Sequence, residues 1–163
     1  MRHAMLAAVC AIGTALTPVA RAAAPAPAPD FTLPARDGGN VRLSYLKGQV
    51  VMINFWTTWC GPCRQEMPLL QQIQAKYEPL GFTLIGINVE PDSAAATTWL
   101  KQVSVSFPIL FDQQNVVAEQ FGVQGMPSSV FVDRAGNVRY VHRGYQPGDE
   151  AKYADMVRSL ARE

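Results

Sequence analysis

A nearly continuous apolar run from Val50 to Trp56 constrains the fold of this chain more than any other segment. Such a run suits a central strand that is buried on both faces of a sheet. The segment that follows, residues 61–77, carries apolar side chains at helical spacing and predicts a long helix. A buried strand that leads into a helix is typical of an α/β sheet with helices packed on it.

The rest of the chain continues this alternation and then changes it. Residues 82–89 and 109–111 predict further strands, and a helical pattern follows each of them. A hairpin over residues 129–142 and a last helix that ends near Ala161 close the chain. An earlier hairpin is predicted over residues 31–43. This order predicts an α/β sandwich with a mixed sheet.

The first 22 residues are typical of an export signal. A basic start at residues 1–3 precedes an alanine-rich apolar run at residues 4–20, and small residues follow where a signal peptidase cuts. We expect cleavage after Ala22 and a periplasmic location. An uncleaved membrane anchor is the alternative, although the run is shorter than the roughly 20 apolar residues of a spanning helix. Residues 23–29 alternate Ala and Pro and predict a stiff, extended tether, with order beginning near Phe31.

Length and charge restrict the partners. The 163 residues suit one domain, residues 30–163. The formal net charge is +1, and removal of Arg2 and Arg21 with the signal leaves twelve basic and thirteen acidic side chains. Nucleic-acid binding requires a basic surface that this composition does not supply, so we expect no nucleic-acid partner.

Two cysteines, Cys60 and Cys63, lie at the junction between the predicted central strand and the long helix. A third, Cys10, belongs to the expected signal. Cys60 falls at the helix start, where backbone N–H groups without partners and the positive end of the helix dipole stabilise a thiolate. Cys63 follows one turn later on the apolar stripe. The spacing therefore predicts an exposed attacking sulfur and a sheltered resolving sulfur.

This dithiol predicts a thiol–disulfide oxidoreductase. A structural disulfide is disfavoured because so short a loop removes little chain entropy, and a zinc site lacks ligands because His142 is the one histidine outside the signal. A Cu(I)-binding module that uses both thiolates and Met126 is one alternative. A thiol peroxidase is another, since Thr57 stands three residues before Cys60, although position 53 is Ile where a peroxidatic motif has proline. We expect no metal and no cofactor.

The stretch from Asn54 to Pro68 resembles the active-site segment of the TlpA/ResA-like branch of the thioredoxin superfamily, which is related to the AhpC/TSA redoxins. Further matches are residues 29–33, 88–90 and 125–127. The resemblance implies a thioredoxin-like three-layer sandwich with an N-terminal β-hairpin extension. It also implies a periplasmic dithiol reductant of protein disulfides, active in cytochrome c maturation, copper-site assembly or a similar process. A transmembrane electron carrier of the thiol:disulfide interchange type would recharge it.

The resemblance also assigns site residues. Cys60 and Cys63 form the redox disulfide, and Met126–Pro127 is a cis bond in a loop that faces the dithiol and pairs with a substrate backbone. The residues expected in the active-site loop and in substrate binding are Trp59, Gly61, Pro62, Met126 and Pro127.

Two acids and one tryptophan near the dithiol complete the candidates. Glu90, at the end of the second strand, is a candidate proton relay for Cys63, with a solvated loop acid as the alternative. Glu66 is a weaker candidate, and a surface helix acid is the favoured interpretation. Trp59 is expected on the surface beside Cys60, where its ring can pack against a partner. No dimerisation element is apparent, so we expect a monomer.

Overall fold

The computed structural model describes residues 25–163. The predicted export signal at residues 1–22 and the first residues of the tether lie outside this range. The strands and helices in chain order are β1 (Ala26–Pro27), β2 (Thr32–Pro34), β3 (Asn40–Arg42), β4 (Val50–Trp56), α1 (Gly61–Tyr77), β5 (Phe82–Asn88), α2 (Ala94–Trp99), β6 (Ile109–Phe111), α3 (Val116–Gln120), β7 (Ser128–Val132), β8 (Asn137–Arg143) and α4 (Asp149–Ala161).

A six-stranded mixed sheet with the order β1-β8-β7-β4-β5-β6 forms the centre of the domain. Strands β4, β5 and β6 are parallel, whereas β7 and β8 run antiparallel to their neighbours. Strands β2 and β3 pair separately as the N-terminal hairpin. The predicted α/β sandwich with a mixed sheet and a hairpin extension is confirmed. None of the helices in residues 25–163 has the length and apolar character needed to cross a lipid bilayer.

Strand β4 supplies both cores of the domain because its side chains alternate between the two faces of the sheet. Met52 and Trp56 pack into the cluster that α1, α2 and α4 cover. Ile53 and Phe55 pack into the other cluster, under α3 and the β2–β3 hairpin. All seven residues of β4 are buried. The end of this strand is therefore held firmly, and the segment that follows it starts from a fixed position.

Two predictions of secondary structure differ from the structure. The tether prediction places the start of order near Phe31, yet Ala26 and Pro27 already pair with β8 as an edge strand. The open hydrogen-bonding groups of β8 provide this pairing, and they lie more than one hundred residues away in the sequence, beyond the reach of a local pattern. The apolar positions Ala96, Trp99, Leu100 and Val103 predict a helix after β5 that reaches Val103, whereas α2 ends at Trp99.

Arg134 joins several segments at the end of the sheet where β4 begins. Its guanidinium donates hydrogen bonds to the carbonyl oxygens of Gly48 at 2.7 Å, Leu80 at 3.0 Å and Ala161 at 3.5 Å. The Gly48 N–H donates in return to the Arg134 carbonyl at 2.9 Å. One side chain thus connects the β7–β8 turn, the loop before β4, the turn before β5 and the end of α4.

We expect Arg134→Met to lower the free energy of unfolding by about 2 kcal/mol, because charged donors to these carbonyls are lost. Urea denaturation followed by far-ultraviolet circular dichroism measures the change. Arg162→Met is the matched control, since Arg162 is exposed and forms none of the ion pairs found within residues 25–163. Equal losses in the two variants would show that the Arg134 contacts contribute nothing beyond those of a surface arginine.

Candidate active site

Cys60 is the N-cap of α1, at the point where the turn after β4 enters the helix. Its backbone is extended, with φ −79° and ψ 107°, and its Sγ accepts a hydrogen bond from the Cys63 N–H at 3.1 Å. Pro62 occupies the first turn, where it costs no helical hydrogen bond. The helix start therefore directs a backbone donor and the positive end of its dipole at the Cys60 sulfur, as the sequence predicts. A helix N-terminus of this kind is an environment that favours a cysteine thiolate.

Cys60 and Cys63 are joined by a disulfide, with their Cα atoms 5.3 Å apart. The sequence predicts an exposed Cys60, but Cys60 is only 5% exposed, and Cys63 is 1% exposed. Cys60 is more exposed than Cys63, as predicted, but it is buried rather than open to solvent. In this oxidised form the Cys60 sulfur is bonded to its buried neighbour and turned towards the helix backbone, which accounts for the difference.

The loop before β7 faces the dithiol. The Met126–Pro127 bond is cis, as the resemblance implies. Pro127 and Pro62 line one cavity, Trp59 lines a second, and Met126 lines both. The structure thus brings the predicted loop residues, with the exposed Gly61 at the helix start, to one face of the domain.

The two tryptophans that flank the turn have different environments. Trp59 is 75% exposed, in agreement with the expectation that its ring lies on the surface next to Cys60. Trp56 is fully buried and packs on Trp99, with the ring centroids 5.3 Å apart. Only Trp59 is therefore available to contact a partner protein.

Glu66 is buried, which contradicts its interpretation as a surface helix acid. It is 1% exposed and lies one turn after Cys63 on the same side of α1. Its carboxylate accepts hydrogen bonds from the Tyr153 hydroxyl at 2.7 Å and from the Asn54 amide at 2.9 Å. The Asn54 amide also donates to the Ser129 hydroxyl at 3.0 Å. Glu66 thus belongs to a buried polar cluster behind the dithiol, formed by Asn54, Glu66, Ser129 and Tyr153.

Burial raises the pKa of Glu66 to about 7, and the negative charge of Asp149 adds to the rise. The hydrogen bonds from Tyr153 and Asn54 oppose it by stabilising the carboxylate. Burial also raises the pKa of Tyr153, with the charge of Glu66 as the next cause, so that Tyr153 remains a hydrogen-bond donor. The carboxyl group behind the dithiol is therefore able to gain or lose a proton near neutral pH.

Glu90 braces the active-site turn. Its carboxylate accepts hydrogen bonds from the Thr58 N–H at 2.9 Å, the Thr58 hydroxyl at 2.7 Å and the Asn88 amide at 2.8 Å. These contacts connect the turn after β4 to the end of β5. The structure therefore gives Glu90 a positioning role, and its role as a proton relay stays a prediction.

The sequence analysis missed the partners of Glu66. Tyr153 is found in the apolar pattern of α4, where the sequence suggests only a core residue, and 87 positions separate it from Glu66. Asn54 is the stronger sequence signal, because it is a polar residue inside the apolar run of a strand buried on both faces. A buried amide needs a hydrogen-bonding partner, and an acid on the adjacent helix is a suitable one.

Metal-ligating side chains do not cluster in the described domain. No three His, Cys, Asp or Glu side chains within residues 25–163 are grouped so that they could share a metal ion. A Cu(I) site would therefore depend on the sulfurs of Cys60, Cys63 and Met126.

Comparison with known sequences identifies the family. A model of the Redoxin family matches residues 23–157, which is most of the chain. The thiol-disulfide oxidoreductase ResA of Bacillus thuringiensis subsp. konkukian is 31% identical over 123 residues, which cover 76% of this chain and 71% of the relative. ResA of Geobacillus thermodenitrificans is 31% identical over 125 residues, which cover 77% and 72%.

Solved structures agree with the sequence comparison. A Chlorobium tepidum protein assigned as the thiol:disulfide interchange protein DsbE superposes with a TM-score of 0.81 at 38% identity, over 84% of this chain and 96% of the other. A secreted Mycobacterium tuberculosis disulfide oxidoreductase homologous to DsbE superposes with a TM-score of 0.71 at 25% identity, over 80% and 96%. The chain therefore belongs to the Redoxin family and is a thioredoxin-fold thiol–disulfide oxidoreductase of its ResA-like branch.

Proposed function

We propose that the protein is an exported dithiol reductant that cycles Cys60 and Cys63 between dithiol and disulfide. The observation that carries the proposal is the Cys60 sulfur at the N-terminus of α1, with the more deeply buried Cys63 one turn behind it. A helix N-terminus favours the thiolate, which is the attacking species in disulfide exchange. The Gly-Pro pair between the cysteines is that of reducing thioredoxins, which supports reduction as the direction.

The proposed reaction moves two electrons to the partner protein. The Cys60 thiolate attacks one sulfur of the partner disulfide, so that a mixed disulfide forms and the other partner sulfur leaves as a thiolate. Cys63 loses its proton and attacks the Cys60 sulfur, which releases the second partner sulfur. The partner ends with two thiols, and Cys60 and Cys63 end as the disulfide that this structure contains.

Glu66 is well placed to accept the proton of Cys63. The two side chains are neighbours on the buried side of α1, three residues apart. A carboxyl group whose pKa is about 7 is an efficient acceptor at neutral pH, because it exchanges its proton without a large energetic cost. We therefore propose Glu66, in place of Glu90, as the acceptor of this proton, and Glu90 as the residue that braces the turn.

The N-terminal sequence and the relatives support a proposal for the compartment and the partners. The predicted signal at residues 1–22 and the secreted state of the M. tuberculosis homologue support export to the periplasm. Disulfides persist in that compartment, so disulfide-containing proteins are available as substrates. A transmembrane thiol:disulfide carrier would return Cys60 and Cys63 to the dithiol. The substrates proposed are proteins of cytochrome c maturation or copper-site assembly.

Cys63→Ser is expected to retain the attack by Cys60 and to lose the release step. Incubation of the reduced variant with insulin should therefore accumulate a mixed disulfide, visible on a non-reducing gel, while multiple-turnover insulin reduction falls to background. Cys60→Ser is the matched control and should form no adduct. An adduct that persists in Cys60→Ser would contradict the assignment, and hydrogen peroxide consumption by Cys63→Ser at the wild-type rate would support the peroxidase alternative.

Glu66→Gln is expected to remove a pH dependence of stability. The unfolded carboxyl titrates near 4.5, whereas burial raises the folded pKa to about 7, so the folded protein retains a proton between these values that the unfolded chain has lost. The wild-type free energy of unfolding therefore falls as pH rises through this window, by about 3 kcal/mol. Urea denaturation at several pH values across this window measures the change. The free energy of unfolding of Glu66→Gln, relative to that of wild type, should rise with pH.

The same variant tests the proton step. Glu66→Gln should slow release from the mixed disulfide at neutral pH by at least about tenfold, measured by rapid acid quench. Glu78→Gln, at an exposed acid before β5, is the control and should behave as wild type. A normal release rate in Glu66→Gln, with the altered pH dependence of stability present, would leave Glu66 with a purely structural role.

The reduction potential is expected to show that the protein is a reductant. Equilibration with glutathione buffers, followed by thiol alkylation, should give a value close to that of thioredoxin, about −270 mV. A value as high as about −120 mV, the range of strong oxidants, would identify the protein as an oxidant.

A further inference from the structure

A groove runs beside the active-site turn, between this turn and α3. It encloses about 500 Å³, and its apolar walls include Trp59, Val123 and Met126. Trp59 is the residue next to Cys60, and Met126 lies on the loop that faces the dithiol. A partner side chain in this groove would therefore belong to a residue within about three positions of the attacked cysteine, since an extended strand advances about 3.3 Å per residue.

The groove carries negative charge that no neighbouring cation neutralises. Glu90 and Glu119 line it, and none of its lining residues in the described structure is Lys, Arg or His. The ion pairs found within residues 25–163 do not include either carboxylate. Glu90 accepts hydrogen bonds from neutral groups only, and Glu119 is exposed at the end of α3. Both charges therefore remain available to a ligand.

A second cavity, which Pro62, Met126 and Pro127 line, differs in charge. This cavity has exposed Arg143 and Lys152 in its lining. Its one acid, Asp149, is already paired with Lys152 at 2.6 Å and with His142 at 3.0 Å. The groove beside Trp59 thus contains unpaired carboxylates, whereas the second cavity contains Arg143, a cation that forms no ion pair within residues 25–163.

We propose that the groove binds a lysine or arginine side chain of the disulfide-bearing segment of the partner protein. The apolar stem of such a side chain fits against Trp59 and Met126, while its charged end reaches the carboxylates. The exposed face of Trp59 also attracts a cation. This inference rests on the proposed function, and it adds that partners with a basic residue close to the attacked cysteine are preferred.

The test uses three peptides with the same intramolecular disulfide and with Lys, Gln or Glu two positions from one cysteine. Stopped-flow tryptophan fluorescence gives the rate at which each peptide oxidises the reduced protein. The rate of each peptide with dithiothreitol corrects for differences in intrinsic disulfide reactivity. We expect the corrected rate to be about fivefold higher for the Lys peptide than for the Gln peptide, and lower for the Glu peptide than for the Gln peptide. The difference between the peptides should become smaller at high salt.

Variants at Glu119 test whether the preference for the Lys peptide arises in the groove. Glu119→Gln should reduce the Lys preference and Glu119→Lys should reverse it, while reduction of the uncharged hydroxyethyl disulfide stays at the wild-type rate. Glu78→Lys makes the same change of charge at the end of the domain where β5 begins, and it should retain the preference.

The outcomes separate this inference from the proposed function. Reduction of all three peptides at the same corrected rate would overturn the groove assignment and leave the dithiol chemistry intact. The groove assignment also fails if Glu119→Lys and Glu78→Lys change the preference equally, because the effect would then come from net charge. Failure to reduce any peptide or hydroxyethyl disulfide would instead overturn the proposed function.

Discussion

The position of strand β4, buried between β5 and β7, determines the geometry of the active site. Because β5 is parallel to β4, both strands end at the same edge of the sheet, where Cys60 and Glu90 follow them. Because β7 is antiparallel, it begins at that edge, directly after Pro127. Three segments that are distant in sequence therefore meet at the N-terminus of α1. The dithiol, the brace of its turn and the cis-proline loop are consequences of one sheet topology.

Local sequence patterns were sufficient for the elements with a strong periodic signal. The bounds of β4 and α1 agree with the prediction, because a nearly continuous apolar run marks the strand and an apolar stripe at helical spacing marks the helix. Pairing at the edge of the sheet was not predictable in the same way. Strand β1 consists of Ala26 and Pro27, and it is a strand only because the distant β8 offers open backbone groups.

The same distinction applies to the active site. Cys60 and Cys63 form a motif that the residue pattern alone identifies, whereas Pro127 is identified by the family resemblance. The burial of Glu66 depends on Tyr153 and Asn54, which come from a helix and a strand that only the folded sheet brings together. An acid three residues after Cys63 suits the surface of a helix equally well in the sequence. Tertiary contact, rather than local preference, decided its environment.

In the proposed mechanism the acids around the dithiol have separate roles: Glu66 accepts a proton, and Glu119 contributes to the recognition of partners. Glu66 is enclosed by a hydrogen-bonded cluster, and this enclosure raises its pKa into the range where proton transfer at neutral pH is efficient. Glu119 lies on the surface and shares no hydrogen bond with that cluster. A substitution at the surface can therefore change which partner approaches Cys60 without altering the buried proton acceptor. Attack by Cys60 and release by Cys63 would then remain the same for every partner that the groove admits.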